Sequence, residues 1–213
     1  MNAIPQLATP MLRLALSSGS VDRRVRAARL IAARRDVRAV GRLGACLRDP
    51  DERVRAAAAE ALGAIGGTTS ARVVRAAVAP RPGYADLEPA LAVSALADMG
   101  MSAVEDVIGG LYDSEPRVRA VCARVVARLS LLRARPDVRR RLACEQVPAA
   151  AAALLDAVAA LGVPADEPLT ARFLGTGWPT AVQDAALVAR AALAGVSGEP
   201  VRTVGVWEAT PVG

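Results

Sequence analysis

The sequence predicts an all-α protein, an α-solenoid (superhelix) of about six antiparallel helix pairs. Two observations lead to this prediction: a helix-length segment with one apolar stripe recurs along the chain, and its copies lie about 32 residues apart. The composition agrees, because 53% of the 213 residues are hydrophobic but only five are aromatic. Small side chains let helices approach closely, whereas a single-core globule is expected to use more rings.

The repeating segment is clearest at residues 49–67, "DPDERVRAAAAEALGAIGG". Apolar residues from Val54 to Ile65 recur at spacings of three and four, which places them on one face of a helix. Asp49 is predicted to cap this helix with Pro50 at its first position, and the closing pair of glycines to end it. The segment therefore has its own start signal and its own stop signal.

Copies of this segment occur throughout the chain. Two keep the Val-Arg pair, "SVDRRVRAARLIAARR" at 20–35 and "DSEPRVRAVCARVVARLS" at 113–130. Three keep only the spacing, at 85–100, 147–162 and 179–195. The Val-Arg pairs at 25/26, 54/55 and 118/119 are 29 and 64 residues apart, and 64 is two periods of 32.

A shorter apolar-periodic segment precedes each copy and is predicted to form the first helix of a pair. These segments are 11–18, 36–48, 70–79, 102–112, 136–145 and 167–174. One pair cannot cover its own apolar faces, so neighbouring pairs must stack and bury them. Residues 1–196 are thus predicted to form the repeat array, and 197–213, rich in valine, an extended C-terminal tail or cap.

The stretch "LRDPDERVRAAAAEALGAIG" resembles the HEAT repeat, especially the short repeat of the phycobilisome-lyase-like HEAT group. The resemblance spans nearly the whole chain as periodicity but only two or three units as a motif. It implies that the second helices line the concave side of a solenoid. It also implies a repeat ladder, in which Asp49 with Arg55, and Asp113 with Arg119, join adjacent repeats. Pro89 departs from the pattern, because it falls inside the second helix predicted for the third unit.

Charge is arranged in bands along the sequence. The net charge is +6 over 21–55, −7 over 84–115, +8 over 116–141 and −4 over 142–213. In a solenoid, sequence order becomes position along the axis, so these bands are expected to follow one another along the surface.

The densest basic stretch, "RARPDVRRR", is the first candidate binding site. We call it the arginine cluster; it consists of Arg133, Arg135, Arg139, Arg140 and Arg141. Three interpretations stay open: a solvated face with local ion pairs, a contact with an acidic segment of another protein, or a contact with nucleic-acid phosphates. The intervening acidic band and the scarcity of stacking aromatics favour a protein over nucleic acid.

Two tryptophans near the C-terminus are the second candidate. Trp178 and Trp207 either cover the exposed face of the last repeat or anchor a partner, since tryptophan concentrates binding energy at interfaces. Both interpretations stay open at the level of sequence.

Composition argues against catalysis. The chain contains no histidine, which removes the usual general base near neutral pH, histidine-supported nucleophiles and histidine metal sites. We therefore predict no catalytic residue, no metal and no cofactor.

The cysteines indicate the location of the protein. Cys46, Cys122 and Cys144 include no CxxC pair and are interpreted as small core residues of a reduced, cytoplasmic protein, with a bacterial origin expected. No membrane span is expected, because Asp156 interrupts the nearly uncharged residues 146–165.

The sequence thus predicts a non-catalytic protein-binding scaffold or adaptor that uses the concave surface of the solenoid. The expected partner is another protein, for which an acidic segment is one candidate feature. The alternative is a nucleic-acid-binding protein that contacts phosphates through its arginine clusters.

Arg55 provides a first test. If it belongs to the framework, Arg55→Ala lowers the melting temperature whether or not a partner is present, because its guanidinium then bonds groups within the protein. Thermal melts of both proteins measure this. Unchanged melting combined with lost binding would instead assign Arg55 to the ligand.

Overall fold

The computed structural model describes residues 9–195, and within this range the chain forms twelve α-helices and no β-strand. The helices follow one another as six pairs: α1 (Thr9–Ala15) and α2 (Val21–Arg34), α3 (Val40–Cys46) and α4 (Glu52–Ile65), α5 (Gly67–Val78) and α6 (Pro89–Asp98), α7 (Val104–Gly110) and α8 (Pro116–Arg128), α9 (Arg135–Cys144) and α10 (Pro148–Leu161), α11 (Glu167–Ala171) and α12 (Thr180–Gly195). This confirms the predicted solenoid of helix pairs.

The two helices of each pair lie in different layers. The second helices pack side by side in the order α2, α4, α6, α8, α10 and α12, while the first helices form a looser outer layer. Neighbouring second helices contact each other more extensively than neighbouring first helices do, so they form the closely packed inner row of the array. The resemblance to HEAT repeats implies that this inner row lines the concave side.

Small residues make this close packing possible. In α4, Ala57, Ala58, Ala61 and Leu62 are buried together. A Cβ atom added to Gly63 would lie 3.2 Å from the backbone oxygen of Ala95 in the next second helix. The alanine-rich pattern thus sets the short distance between repeats, and stability comes from contacts between neighbours.

The start of α4 lies two residues later than predicted. Asp51 is the N-cap, and its carboxylate accepts a hydrogen bond from the backbone N–H of Arg53 at 2.9 Å. Asp49 instead accepts the N–H of Asp51, so neither Asp49 as cap nor Pro50 as first residue is correct. The reason is that the Asp49 carboxylate also pairs with Arg24 of the preceding repeat.

Pro89 does not interrupt its helix. The helix α6 begins at Pro89, where the missing N–H of proline has no intrahelical partner to lose. The prediction that Pro89 lies inside the second helix is therefore wrong, and the third unit shortens this helix to 10 residues, compared with 14 in α4.

The second and third pairs join almost without a loop. Gly66 and Gly67 have φ angles of +71° and +83°, a region that glycine enters without steric cost, and α5 starts at Gly67 itself. The two glycines that end the repeating segment thus also begin the next repeat.

No helix within residues 9–195 is both long enough and apolar enough to cross a membrane. The predicted tail, 197–213, lies outside the described residues.

Substitutions of leucine distinguish core from surface positions. Leu62 is fully buried between second helices, whereas Leu132 is 63% exposed. Leu62→Ala is expected to lower the free energy of unfolding by about 2–5 kcal/mol, because it leaves a cavity. Leu132→Ala is the matched control and should change it by less than about 0.5 kcal/mol. Urea unfolding measures both, and equal effects would contradict the buried inner row.

Candidate partner-binding site

A buried arginine joins the fourth repeat to the fifth. The Nε and Nη2 atoms of Arg119 each donate to the Glu145 carboxylate at 2.8 Å, while Nη1 donates to the backbone oxygens of Asp113 and Ser114 at 2.9 and 3.0 Å. The guanidinium thus bonds the turn of its own repeat and a carboxylate of the next. Arg119 and Glu145 are 5% and 1% exposed.

Arg55 and Arg24 make the same type of contact two and three junctions earlier in the described array. Arg55 donates to the backbone oxygens of Asp49 and Pro50, and more weakly to Glu88 at 3.5 Å. Arg24 donates to the backbone oxygen of Ser18 at 2.8 Å and to Oδ1 of Asp49 at 2.9 Å, and its Nε lies 2.8 Å from Oδ2 of Asp49 in the same ion pair. We call Arg24, Arg55 and Arg119 the ladder arginines.

The aspartates predicted for the repeat ladder have different contacts. Asp49 takes part through both its backbone oxygen and its carboxylate, so it connects Arg55 with Arg24. Asp113 offers its backbone oxygen to Arg119, but its carboxylate accepts the backbone N–H of Glu115. The Asp113 carboxylate therefore shapes the turn.

In the first repeat, the ladder arginine is Arg24 and not Arg26 of the Val-Arg pair. Each ladder arginine lies four residues after the N-cap of its helix; the N-caps are Ser20, Asp51 and Glu115. Arg26 is exposed on α2. Even spacing could have identified this register, because Arg24 precedes Arg55 by 31 residues, whereas Arg26 precedes it by only 29.

The ladder strongly perturbs Glu145. Burial alone would raise its pKa, but hydrogen bonds from Arg119, the backbone N–H of Val147 and Arg141 lower that pKa to about 2. Glu145 is therefore ionised throughout the neutral range and holds the junction as a carboxylate.

The arginine cluster is largely neutralised within the protein. Four of its members pair with carboxylates: Arg133 with Glu105, Arg139 with Asp166, Arg140 with Asp137 and Arg141 with Glu145. Only Arg135, which is half-buried, has no carboxylate partner among the described residues. The cluster thus consists mainly of local ion pairs, one of the three interpretations that the sequence left open.

The basic and acidic bands of the sequence are also joined to each other by ion pairs. Ion pairs join the basic band 21–55 to the acidic band 84–115, and the basic band 116–141 to the acidic bands on both sides of it. They are Arg55–Glu88, Arg117–Asp86, Arg133–Glu105, Arg119–Glu145 and Arg139–Asp166. Bands that are separate in sequence are therefore complementary neighbours in space.

A groove between α2 and α4 has a different character, and sequence reasoning missed it. It has a volume of about 400 Å³, with Arg26 and Arg29 on one wall and Glu60 on the other. None of these three side chains forms an ion pair in the described part of the chain, and all three are exposed. Arg53 also lines the groove but pairs with Asp22 at 3.2 Å.

Trp178 and Trp207 are not brought together within the described structure. The Trp178 ring lies 5.0 Å from the ring of Phe173, which is fully buried, and Trp178 is half-buried against the core of the last repeat. Trp207 lies outside the described residues.

The three thiols are free but not all in the core. Burial raises the pKa of Cys46 to about 11 and that of Cys122 to about 12, so both remain protonated. Cys144, the last residue of α9, is exposed, which corrects its interpretation as a core residue. Residues 9–195 contain no group of three or more Cys, Asp or Glu side chains placed to hold a metal ion.

The fold defines an α-solenoid repeat protein. Residues 9–85 match the family model for HEAT repeats, which confirms the sequence resemblance over this part of the chain, and the structure continues the array of helix pairs to Gly195. No curated protein matches the chain.

Several solved structures are similar to it. A designed armadillo repeat protein is 16% identical with a TM-score of 0.43, covering 87% of this chain and all of its own. The complex of CpcE and CpcF of phycocyanin lyase from Nostoc sp. PCC7120 is 23% identical with a TM-score of 0.40, covering 91% of this chain and 67% of its own. A designed armadillo repeat protein in complex with the peptide (KR)4 is 14% identical with a TM-score of 0.45, covering 88% and 100%.

Glu145 provides a test of the buried junction. Glu145→Gln should lower the free energy of unfolding at pH 7 by roughly 3 kcal/mol, because Arg119 then lacks its carboxylate. The matched control is Glu105→Gln, which removes the exposed pair with Arg133 and should cost less than about 1 kcal/mol.

The effect of Glu145→Gln should also depend on pH. The folded protein keeps Glu145 ionised below its ordinary pKa of 4.5, so this stabilisation is complete above pH 4.5 and is lost as the pH falls toward about 2. The difference between the wild type and the variant should shrink over that window in urea titrations. A difference independent of pH would contradict the assigned ionisation.

Proposed function

We propose that this protein is a non-catalytic scaffold or adaptor that binds another protein on its concave surface. The observation that supports this most is the contrast between the two kinds of charged residue. Charges at the repeat junctions pair with each other, whereas exposed charges on the inner row remain available.

The available inner charges occupy one equivalent position. Arg29, Glu60, Arg124 and Asp156 each lie nine residues after the N-cap of their helix and are exposed. None of them forms an ion pair within 4 Å among the described residues, although Arg124 acts on Asp156 electrostatically at longer range. Between them, the inner face of α10 exposes alanines such as Ala149 and Ala160. A surface with small side chains and a periodic row of charges fits an extended or helical partner segment.

A non-catalytic role is supported by the chemistry of the titratable groups. The chain has no histidine, and its most strongly perturbed carboxylate, Glu145, is held in the ladder between Arg119 and Arg141. A cytoplasmic location is supported by the three free thiols, since disulfides form mainly in oxidising compartments.

Nucleic-acid binding is the second candidate, and one observation favours it. The first two repeats carry exposed arginines without carboxylate partners, which suit phosphates as well as carboxylates. The arginine cluster supports it less, because phosphates would have to compete there with Glu105, Asp137, Glu145 and Asp166.

A charge swap on the concave surface tests the first proposal. In R124E/D156R, the net charge is kept while two neighbouring inner positions exchange the signs of their charges. The matched control is R133E/E105R, which swaps an exposed pair of the outer layer. The protein is crosslinked in its native host, and the amount of its major partner retained by each variant is measured.

The concave swap should reduce the retained partner by about tenfold, because opposite charges then face the same partner groups, while the outer swap should leave it unchanged. Equal retention by both variants would contradict the concave surface as the binding face. A salt titration with single-stranded and duplex DNA tests the alternative, since phosphate contacts weaken steeply with salt.

A further inference from the structure

We infer that the groove between α2 and α4 binds an acidic segment of the partner protein, with Arg26 and Arg29 holding its carboxylates. This inference rests on the proposed function, because it assigns one part of the concave surface to one type of partner chemistry. Three independent features lead to it: the distribution of net charge, the pairing of the arginines and the shape of the groove.

The net charge of the chain lies entirely in its first two repeats. Residues 1–66 contain twelve arginines and six carboxylates, whereas residues 67–213 contain fifteen of each. The whole excess of +6 therefore belongs to the first two repeats, and the rest of the chain is balanced. An approaching acidic segment is attracted to this end of the solenoid.

Ion pairing leaves this excess exposed. In the first two repeats, three carboxylates are used in pairs between elements: Asp36 with Arg13, Asp49 with Arg24 and Asp22 with Arg53. Several exposed arginines there have no carboxylate partner among the described residues: Arg23, Arg26, Arg29, Arg35, Arg38 and Arg42. The arginine cluster shows the opposite, because four of its five members are paired.

Only two of these unpaired arginines line the α2–α4 groove. Arg26 and Arg29 are three residues apart, so their side chains lie next to each other on one face of α2. The floor of the groove is formed by the small residues Val25, Ala56 and Ala57, which allow a peptide backbone to approach. The groove thus offers two guanidinium groups above a shallow apolar floor.

The spacing of the two arginines indicates the kind of segment that fits. Side chains three apart on a helix are separated by about 5–6 Å. In an extended peptide, alternate side chains lie on the same side and about 6.6–6.8 Å apart. Two carboxylates separated by one residue therefore match the two arginines, and each can accept a two-pronged guanidinium bond.

Glu60 limits how much negative charge the groove accepts. It lies on the opposite wall from Arg29, nine residues after its N-cap just as Arg29 is, and it is unpaired. A long polyanion would place further charges against Glu60, whereas a short pair of carboxylates would not. This residue favours an acidic peptide over a nucleic-acid backbone.

The test uses a fluorescein-labelled peptide of five Glu-Ser repeats, with five Gln-Ser repeats as the neutral control. Binding is measured by fluorescence anisotropy at low and at physiological salt. R26Q/R29Q should bind the acidic peptide about tenfold more weakly than the wild type, because two charge contacts are lost. R38Q/R42Q removes the same charge from the outer layer and should weaken binding less than about twofold. E60Q should bind it more tightly.

Other outcomes would overturn the inference. Equal weakening by both double variants would show attraction to net charge without a site. Absence of binding to the acidic peptide, or binding of (dT)20 in its place with the same dependence on Arg26 and Arg29, would reject an acidic peptide as the ligand. Because all four arginines are exposed, unchanged urea unfolding is expected and confirms that each variant is folded.

The proposed scaffold function and the inference about the α2–α4 groove can fail independently of each other. If the concave swap R124E/D156R abolishes partner retention while R26Q/R29Q leaves retention intact, the scaffold role stands and the acidic groove is wrong. In a second outcome, R26Q/R29Q weakens binding of the acidic peptide, but neither R26Q/R29Q nor the concave swap changes retention of the native partner. The groove then binds acidic peptides, but the scaffold proposal fails.

Discussion

The buried guanidinium at the repeat junction is the interaction on which the architecture depends. The turn between two helices leaves backbone carbonyl oxygens without hydrogen-bond partners, and burying these oxygens unpaired costs free energy. Arg119 bonds two such oxygens and then uses its remaining donors on Glu145 in the next repeat. One side chain thus satisfies the turn and sets the position of the neighbouring helix pair. Where the acceptor is exposed, as Glu88 is for Arg55, the bond is longer, and this junction leads into the shortened helix α6.

This junction chemistry also explains the banded charge of the sequence. A residue meets its counterpart in the next repeat about 32 residues later, so a basic stretch of one repeat faces an acidic stretch of its neighbour. Arg117 with Asp86 and Arg139 with Asp166 are examples, separated by 31 and 27 residues. A high density of arginine in a repeat sequence should therefore be interpreted first as evidence of interfaces between repeats, and only then as evidence of ligand binding. Charge that lacks a complement in the next repeat is the part that remains for a partner.

Sequence predicted the fold well, because periodicity is a local property. The apolar spacing within each helix and the 32-residue period identified all six pairs. Features that depend on contacts between repeats were harder to predict from the sequence. The N-cap of α4 is Asp51 and not Asp49, because Arg24 binds Asp49 across a junction. The ladder arginine of the first repeat is Arg24 and not Arg26 of the Val-Arg pair, because Arg24 is the one that reaches Asp49. The sequence could not decide among the three interpretations of the arginine cluster, because Glu105 and Asp166 lie about 30 residues away from their partners in sequence.

The same argument explains why the α2–α4 groove could not be found by inspecting arginine density. Residues 23–29 and 133–141 are both rich in arginine, and nothing local separates them. What separates them is whether a carboxylate of an adjacent repeat reaches each guanidinium. At 133–141, Glu105 and Asp166 do so from neighbouring repeats, whereas the elements packed against α2 supply Asp49 to Arg24 and no carboxylate to Arg26 or Arg29. In a solenoid, a binding surface is therefore defined by the charges that the junctions leave unpaired, and in this protein the unpaired positive excess, which includes Arg26 and Arg29, lies in the first two repeats.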